Sequence, residues 1–293
     1  MQFLSFMRDG EARAGAVLDA ERVLDLGRAA GTALPTDMPG LIAAGPEALI
    51  AVRRLLADPP PAAVVARDGL VLSAPIPRPG RNIFCVGRNY IEHVAEGDRV
   101  QKVDTVVPDW PQFFSKPPQA VIAPGAPVPA HAGLTERLDY EVELALVIGR
   151  EGRDIAESEA MAHVFGATIA NDITARDLQR RHGQWFKGKG LDGSCPMGPV
   201  LVTLDELDVT DLEIGLSVNG ERRQFSRTSR MIFPIPAIIA QLSAGMTLLP
   251  GDVILTGTPE GVGYAMDPPR YLRPGDRMTA WIEGLGKLEN TIA

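Results

Sequence analysis

Two glutamates separated by one residue stand in an otherwise apolar stretch, and they are the strongest chemical signal in the sequence. Glu141 and Glu143 fall within residues 138–148. Side chains alternate between the two faces of a β-strand, so this spacing turns both carboxylates to one side. The same face continues with Ala145 and Val147, which places the carboxylates at the edge of a dry interior.

Paired carboxylates in such a place need a compensating charge. Two close negative charges repel each other and are costly to remove from water unless a cation or strong hydrogen-bond donors balance them. A divalent metal ion bound by Glu141 and Glu143 is the simplest answer. Two surface glutamates paired with lysine or arginine are the alternative.

A third acid, Asp172, follows Glu141 by 31 residues and stands between an apolar strand and a predicted helix. Thr174 and Asp177 have the spacing of a capping box, which leaves Asp172 outside the helix and free for another role. Helix capping is the alternative reading of this segment.

A candidate general base lies earlier in the chain. His93 and Glu96 are three residues apart, so on a helix they share a face, and the carboxylate can orient the imidazole and stabilise its charge. An exposed ion pair on a surface helix is the alternative.

Glycine-rich segments match two nucleotide-binding patterns only superficially. Residues 187–193 contain GxGxxG, but too short a strand precedes them and a proline follows where a helix should begin, so dinucleotide binding is rejected. The phosphate-loop spacing at 183–189 fails because Gly190 stands where a Ser or Thr would hold Mg²⁺. What remains is Lys187 and Lys189 on a predicted flexible loop, where one lysine could supply positive charge to an anionic ligand and a solvated loop is the alternative.

A second glycine-rich loop, residues 256–263, is most simply a tight turn after a strand. The sequence contains neither GxSxG nor HExxH, which removes the commonest serine-hydrolase and metalloprotease readings.

Composition predicts a globular protein that acts on small molecules. The chain has 293 residues, of which 45% are hydrophobic and 23% charged, and its net charge is -8. This charge argues against a nucleic-acid or anionic-membrane partner. The first residues lack the features of a signal peptide, no apolar run reaches membrane-spanning length, and Cys85 and Cys195 are too few for a disulfide framework. We therefore expect a cytoplasmic protein with free thiols.

The elements that position these residues fall into two predicted domains. Residues 1–75 form a small amino-terminal domain with strands at 2–7 and 16–18 and a helix at 41–56. A proline-rich connector at 73–80 separates it from a second domain at 80–293.

Short strands separated by glycine and proline turns dominate the second domain. A strand at 82–87 runs into a short helix at 88–97, which we expect glycine to end. The other predicted helices are at 174–182 and 236–242, and the other predicted strands are at 119–122, 140–148, 164–170, 199–202, 213–218, 252–256 and 277–282. This pattern predicts an α+β, mostly β protein with a mixed β-sandwich or barrel-like roll.

Taken together, these segments resemble the fumarylacetoacetate hydrolase (FAH) family in order from about Asn82 to the end of the chain. No single motif is decisive, and the order and spacing carry the assignment. The matching segments are 86–90, 93–96, 114–117, 139–143, 171–177, 187–189, 193–199 and 256–259.

The resemblance implies a FAH-like mixed β-sandwich roll with a small amino-terminal domain, a homodimer, and a role in aromatic-compound breakdown. It implies Mg²⁺ or Mn²⁺ held by Glu141, Glu143 and Asp172, although an additional acidic ligand of some family members has no clear counterpart here. It also implies that His93, together with Glu96, is the general base. Residues implied to contact the substrate or the transition state are Lys189, Arg88, Lys116, Arg176, Gln179 and Thr258.

Three carboxylates around a 2+ ion leave the site near -1, so a small anionic 2-oxo acid would need Lys189, Arg176 or Lys116 as a counter-charge. The leading expectation is hydrolysis of a carbon-carbon bond in an acylpyruvate-like or 2,4-dioxo acid. His93, held by Glu96, would take a proton from water, and Lys189 would steady the developing charge.

Other functions use the same site. Decarboxylation, hydration and isomerisation of 2-oxo acids are alternatives, because a fold does not fix a reaction. A non-catalytic 2-oxo acid binding protein is an alternative of another class, and the His93–Glu96 pair counts against it. The polar segment 90–104 is expected to order as a lid when substrate binds.

Overall fold

The structure is a computed structural model and describes residues 1–29 and 34–293. It confirms the predicted α+β, mostly β class. The strands are β1 (Gln2–Arg8), β2 (Glu11–Val17), β3 (Arg22–Asp25), β4 (Val64–Ala66), β5 (Leu72–Ser73), β6 (Ile83–Gly87), β7 (Gln112–Lys116), β8 (Val121–Ile122), β9 (Leu138–Asp139), β10 (Val142–Ile148), β11 (Val164–Asn171), β12 (Thr174–Ala175), β13 (Cys195–Thr203), β14 (Glu213–Val218), β15 (Glu221–Arg227), β16 (Val253–Leu255), β17 (Arg277–Ile282) and β18 (Gly286–Thr291).

Helices are fewer than strands. They are α1 (Met38–Ala43), α2 (Gly45–Ala57), α3 (Ile91–Gln101), α4 (Arg176–Arg181), α5 (Phe186–Lys189) and α6 (Ile235–Ser243). No helix in the part of the chain that the structure describes is long and apolar enough to cross a membrane.

A large mixed sheet forms the centre of the molecule. Its strand order is β4-β3-β2-β1-β13-β11-β10-β16-β6-β7, with β5 beside β1 and β8 beside β13. Strand β1 pairs with β13, where Gln2 lies opposite Val202, so the amino-terminal strands extend the sheet of the following segment. The division into domains at 1–75 and 80–293 stays a prediction, and residues 74–82 between them contain neither helix nor strand.

A four-stranded sheet of order β15-β14-β17-β18 packs on one face of the large sheet, and α1 and α2 pack on the other. Strand β10 shows this arrangement directly. Its Leu144 and Leu146 belong to the core shared with β14 and β17, whereas Ala145 and Val147 belong to the core shared with the two helices. Every residue of β10 is buried, so both faces of the strand exclude water.

Several predicted boundaries differ from the structure. The predicted strand at 16–18 begins at Glu11, after a two-residue turn in which Asp9 and Gly10 have φ of 52° and 82°, as a tight hairpin of this length requires. The predicted helix at 41–56 is two helices that meet at Ala44.

The helix predicted at 88–97 begins later and does not end at glycine. It continues as α3 to Gln101 and ends at Lys102, which has a φ of 57°. Gly97 lies inside the helix, and a β-carbon at this position would come within 2.8 Å of the Tyr264 hydroxyl. Glycine here permits close packing instead of stopping the helix.

Candidate active site

Three carboxylates converge at the centre of the large sheet. Glu141 immediately precedes β10, Glu143 lies in β10, and Asp172 follows β11, which pairs antiparallel with β10. The backbone N–H of Asp172 donates to the carbonyl of Glu141 at 2.8 Å. One ligand oxygen from each of the three side chains lies within 4.8 Å of the others, and all three are buried. The sequence-predicted ligands are thus brought together and could hold a metal ion.

Three cations balance two of these carboxylates. Lys189 Nζ lies 2.6 Å from a Glu141 oxygen and 2.7 Å from an Asp172 oxygen. Arg176 Nη2 lies 2.6 Å from the other Glu141 oxygen, and Lys116 Nζ lies 2.7 Å from the other Asp172 oxygen. Burial raises the pKa of Glu141, but the charges of Lys189 and Arg176 outweigh it and lower that pKa to about 2. Glu141 is therefore ionised at neutral pH.

Glu143 has no such partner. Its carboxylate accepts a hydrogen bond of 2.6 Å from the backbone N–H of Gly257 and has no ion pair among the described residues. Burial, together with the nearby charges of Asp172 and Glu141, raises its pKa well above the usual value. A buried carboxylate beside two others is the arrangement that a hard divalent cation stabilises, since oxygen ligands suit Mg²⁺ and Mn²⁺. The donor set therefore fits such an ion.

The predicted contact between His93 and Glu96 forms on α3. His93 Nδ1 lies 2.8 Å from one oxygen of Glu96, and the other oxygen accepts a hydrogen bond of 2.9 Å from the backbone N–H of Gly261. Glu96 is thus held at both oxygens. With the proton on Nδ1 directed to Glu96, His93 Nε2 is left as the acceptor.

One cavity of about 540 Å³ is lined by Glu141 and Glu143 and also by His93. Its walls include eight of the eleven candidate residues, which are Arg88, His93, Glu141, Glu143, Arg176, Gln179, Lys189 and Thr258. Glu96, Asp172 and Lys116 do not line it and lie behind residues that do. The polar ends of the candidate residues therefore surround a space suited to a small organic acid.

Lys189 does not lie on the flexible loop that the sequence predicts. It is the last residue of α5, is buried, and points its ammonium at Glu141 and Asp172. Phe114 lies beside it, with the Lys189 ammonium 5.0 Å from the ring centroid. Lys189 therefore lies on a short helix with its ammonium buried, and the predicted solvated loop is wrong for this residue.

Lys116 is fully buried behind Asp172. Besides its bond to the Asp172 carboxylate it donates to the backbone carbonyls of Ile173 and Lys189. All three contacts are to protein groups, so Lys116 fixes the position of Asp172.

The predicted capping box at α4 is wrong. The Thr174 hydroxyl donates to the backbone carbonyl of Asp172 at 3.0 Å, and the Asp177 carboxylate accepts from the hydroxyl of Thr135 at 2.6 Å. No side chain caps α4, because its amino end is joined to the two-stranded pair of β9 and β12. Asp172 is nevertheless outside the helix, as expected.

Asp139 belongs to the site and is absent from the sequence-based candidates. It accepts hydrogen bonds from Arg176 Nε at 2.9 Å and from the backbone N–H groups of Gly263 and Tyr264 at 2.7 and 3.0 Å. It thus fixes Arg176 against the loop that carries Tyr264. The period of two that selects Glu141 and Glu143 extends back to Asp139 and could have identified it.

Gln224 in β15 is a second missed residue. Its Nε2 donates to the Thr258 hydroxyl and the Pro259 carbonyl, both at 2.8 Å, and its Oε1 accepts from the backbone N–H of Val142 at 3.0 Å. This side chain joins the strand of the glutamates to Thr258. No local pattern around Gln224 indicates such a role, since its partners are distant in sequence.

Arg88 holds α3 in place. Its guanidinium makes two bonds of 2.8 and 3.0 Å to the buried carboxylate of Asp98, which lies in α3. This pairing with Arg88 lowers the pKa of Asp98 below its usual value. A depressed folded-state pKa stabilises the fold above the unfolded-state pKa, and the contribution is lost as pH falls through the folded-state value.

Asp98→Asn is therefore expected to reduce the free energy of unfolding by about 1–3 kcal/mol at pH 7. The difference from the wild-type protein should shrink as the pH falls below about 4, where the carboxylate protonates. Urea unfolding between pH 3 and 7 measures it, with the exposed Asp104→Asn as the control. A difference that stays constant over this range would show that the charge of Asp98 is not the cause.

Comparisons with known proteins match this chain to one family. The family model described as the fumarylacetoacetate (FAA) hydrolase C-terminal domain matches residues 82–293. Oxaloacetate tautomerase YisK of Bacillus subtilis is 42% identical over 290 residues, which cover 95% of each chain.

Two solved structures are similar to this chain. Fumarylacetoacetate hydrolase from Exiguobacterium antarcticum is 41% identical with a TM-score of 0.84, and the match covers 100% of this chain and 99% of that one. Fumarylpyruvate hydrolase from Pseudomonas aeruginosa, in complex with Mn²⁺ and pyruvate, is 36% identical with a TM-score of 0.64. That match covers 74% of this chain and 91% of the other.

Proposed function

Because this chain belongs to the fumarylacetoacetate hydrolase family, we propose that it is a metal-dependent enzyme that interconverts the keto and enol forms of a small 2-oxo acid, with oxaloacetate as the first candidate. The main support is that His93, which is hydrogen-bonded to Glu96, lines the same cavity as Glu141 and Glu143. The match to a tautomerase along 95% of both chains supports this reaction over the carbon-carbon hydrolysis that the sequence favoured.

A divalent ion would be held by Glu141, Glu143 and Asp172. When bound, it supplies a Lewis acid that lowers the energy of negative charge on the 2-oxo oxygen of the substrate. The Mn²⁺ complex of the Pseudomonas hydrolase supports a divalent ion in this family, and Mg²⁺ and Mn²⁺ are both candidates.

His93 moves the proton. Tautomerisation removes a proton from the carbon next to the 2-oxo group and places one on the oxygen, so it needs one group that can accept and return a proton. His93 lines the cavity, and its Nε2 has no hydrogen-bond partner among the described residues. Glu96 stabilises the imidazolium that forms and holds the ring in one orientation.

Other side chains of the cavity wall hold the substrate. Gln224 donates to the Thr258 oxygen, so the Thr258 hydroxyl proton is left to donate into the cavity. Lys189 and Arg176 place positive charge beside the acids, and Gln179 lies next to Arg176 with its side-chain oxygen 3.3 Å from Arg176 Nη1. The substrate's first carboxylate would lie at these cations.

Lys116 and Arg88 are proposed to act indirectly. Lys116 orients Asp172 and Arg88 anchors α3 through Asp98, so neither needs to touch substrate. The homodimer, the cytoplasmic location and the role in aromatic-compound breakdown stay predictions.

Hydrolysis of an acylpyruvate is the second candidate. The 36% identity to a fumarylpyruvate hydrolase with bound pyruvate favours it, and the same His93 could take a proton from water instead of from carbon. Decarboxylation and hydration would use the same acids and base.

A substrate panel separates these reactions. With Mg²⁺, the wild-type protein is expected to accelerate loss of the enol absorbance of oxaloacetate without releasing pyruvate, and EDTA should abolish the acceleration. Acetylpyruvate and fumarylpyruvate should release no pyruvate in a coupled lactate dehydrogenase assay. Pyruvate from the acylpyruvates would overturn the proposal in favour of hydrolysis, and pyruvate from oxaloacetate would indicate decarboxylation.

A further inference from the structure

Arg180 lines the same cavity and has a different electrostatic environment from the other cations there. Arg88 is paired with Asp98, Arg176 with Asp139 and Glu141, and Lys189 with Glu141 and Asp172. The Arg180 side chain has no hydrogen bond or ion pair within the described ranges 1–29 and 34–293, and its guanidinium contacts the ring of Tyr264. Among the described residues that line the cavity, Arg180 is therefore the arginine or lysine without an ion-pair partner.

Helix α4 places Arg180 in line with the site. Arg176 and Arg180 are four residues apart and share a face of α4. Their guanidinium carbons lie 4.4 and 5.9 Å from the centroid of the same ring, that of Tyr264. Each helical residue rises about 1.5 Å, so Arg180 starts about 6 Å further along the helix than Arg176, which contacts the acids. Arg180 is exposed and lies at the outer end of the cavity.

We propose that Arg180 binds a second carboxylate at the far end of the substrate and so selects dicarboxylic 2-oxo acids over monocarboxylic ones. The inference rests on the proposed function and adds to it the residue that distinguishes substrates by their distal carboxylate. The 2-oxo group lies at the metal-binding acids, and the carboxylate next to it lies at Lys189 and Arg176. A carboxylate on the carbon beyond meets the unpaired guanidinium, which can bind it through two parallel N–H groups.

A pair of substrates and a pair of variants test this contact. The substrates are oxaloacetate and its 4-methyl ester, which keeps the four-carbon chain and removes the distal charge. The variants are Arg180→Gln and Arg181→Gln. Arg181 is the adjacent residue of α4, has the same charge, is exposed and does not line the cavity, so it controls for the loss of a nearby positive charge.

The wild-type enzyme with Mg²⁺ is expected to favour oxaloacetate over the ester by about tenfold in kcat/KM, the size of one charge-assisted contact. Arg180→Gln should abolish this preference, chiefly by raising KM for oxaloacetate, and should leave the ester unaffected. Arg181→Gln should keep the wild-type preference. A preference that survives in Arg180→Gln, or that is absent from the wild-type enzyme, would overturn the inference.

Failure of the proposed function gives a different pattern. A wild-type protein that accelerates tautomerisation of neither compound would refute the function but not the contact. Calorimetric binding of oxaloacetate and its ester to the Mg²⁺-loaded protein then tests Arg180 directly. The same loss of discrimination is expected in Arg180→Gln alone, and equal discrimination in the two variants would refute the contact.

Discussion

Replacing His93 with alanine is expected to lower kcat by about 10²- to 10⁴-fold, the usual contribution of a general acid-base group. The affinity for Mg²⁺ should not change, because His93 is not one of the three converging acids. Stopped-flow tautomerisation of oxaloacetate measures the rate, and calorimetry measures metal binding. The loss should fall on kcat, since the imidazole acts on the proton in transfer and not on the carboxylates of the substrate.

Two variants sharpen this result. His182→Ala removes an exposed histidine that makes no side-chain bond in the described structure and should leave the rate unchanged. Glu96→Gln keeps the shape of the partner and removes its charge, so it should give a smaller loss than His93→Ala. An unchanged kcat in His93→Ala would remove this residue from the mechanism.

Replacing Glu143 with glutamine is expected to weaken Mg²⁺ binding by about 100-fold or more, because loss of a direct ligand should exceed the roughly 10- to 100-fold effect of losing an outer partner. In the absence of metal, the same substitution should stabilise the protein. Glu143 is a buried acid beside two others with no cation partner, so removing its charge should raise Tm.

Thermal unfolding with and without Mg²⁺ measures both effects. An ion at 100 times its Kd stabilises the wild-type protein by about 2.7 kcal/mol, and this increment should be absent from Glu143→Gln at the same concentration. Glu151→Gln changes an exposed acid away from the cavity and is the control. A full Mg²⁺-induced increase in Tm in Glu143→Gln would show that the ion binds elsewhere.

The sequence predicts the acidic centre because the information is local. A period of two places Glu141 and Glu143 on one side of a strand, and the apolar residues around them indicate burial, which the structure confirms. The three-residue spacing of His93 and Glu96 likewise predicts their contact, which forms at 2.8 Å.

The features of the site that the sequence does not predict depend on contacts between distant segments. A glycine at position 97 is typical of a helix end, yet Tyr264, 167 residues away in sequence, packs against it. Lys189 has loop-like neighbours, yet Glu141 and Asp172 bury its ammonium. Gln224 reaches Val142 across 82 residues. Secondary-structure preferences within a short window contain none of these partners, and tertiary packing overrides them.

Strand β10 is buried on both faces, so apolar contacts hold it on two sides. Local opening costs least where few apolar contacts hold a segment and most in a central strand. Glu143 therefore leaves its place only when the sheet itself comes apart. His93, in contrast, sits on an outer helix whose following residues, Val103, Val106 and Val107, are exposed. Local opening of the segment after α3 is therefore expected to cost less free energy than opening of β10, so the three acids should stay in place during fluctuations that reach the proposed base.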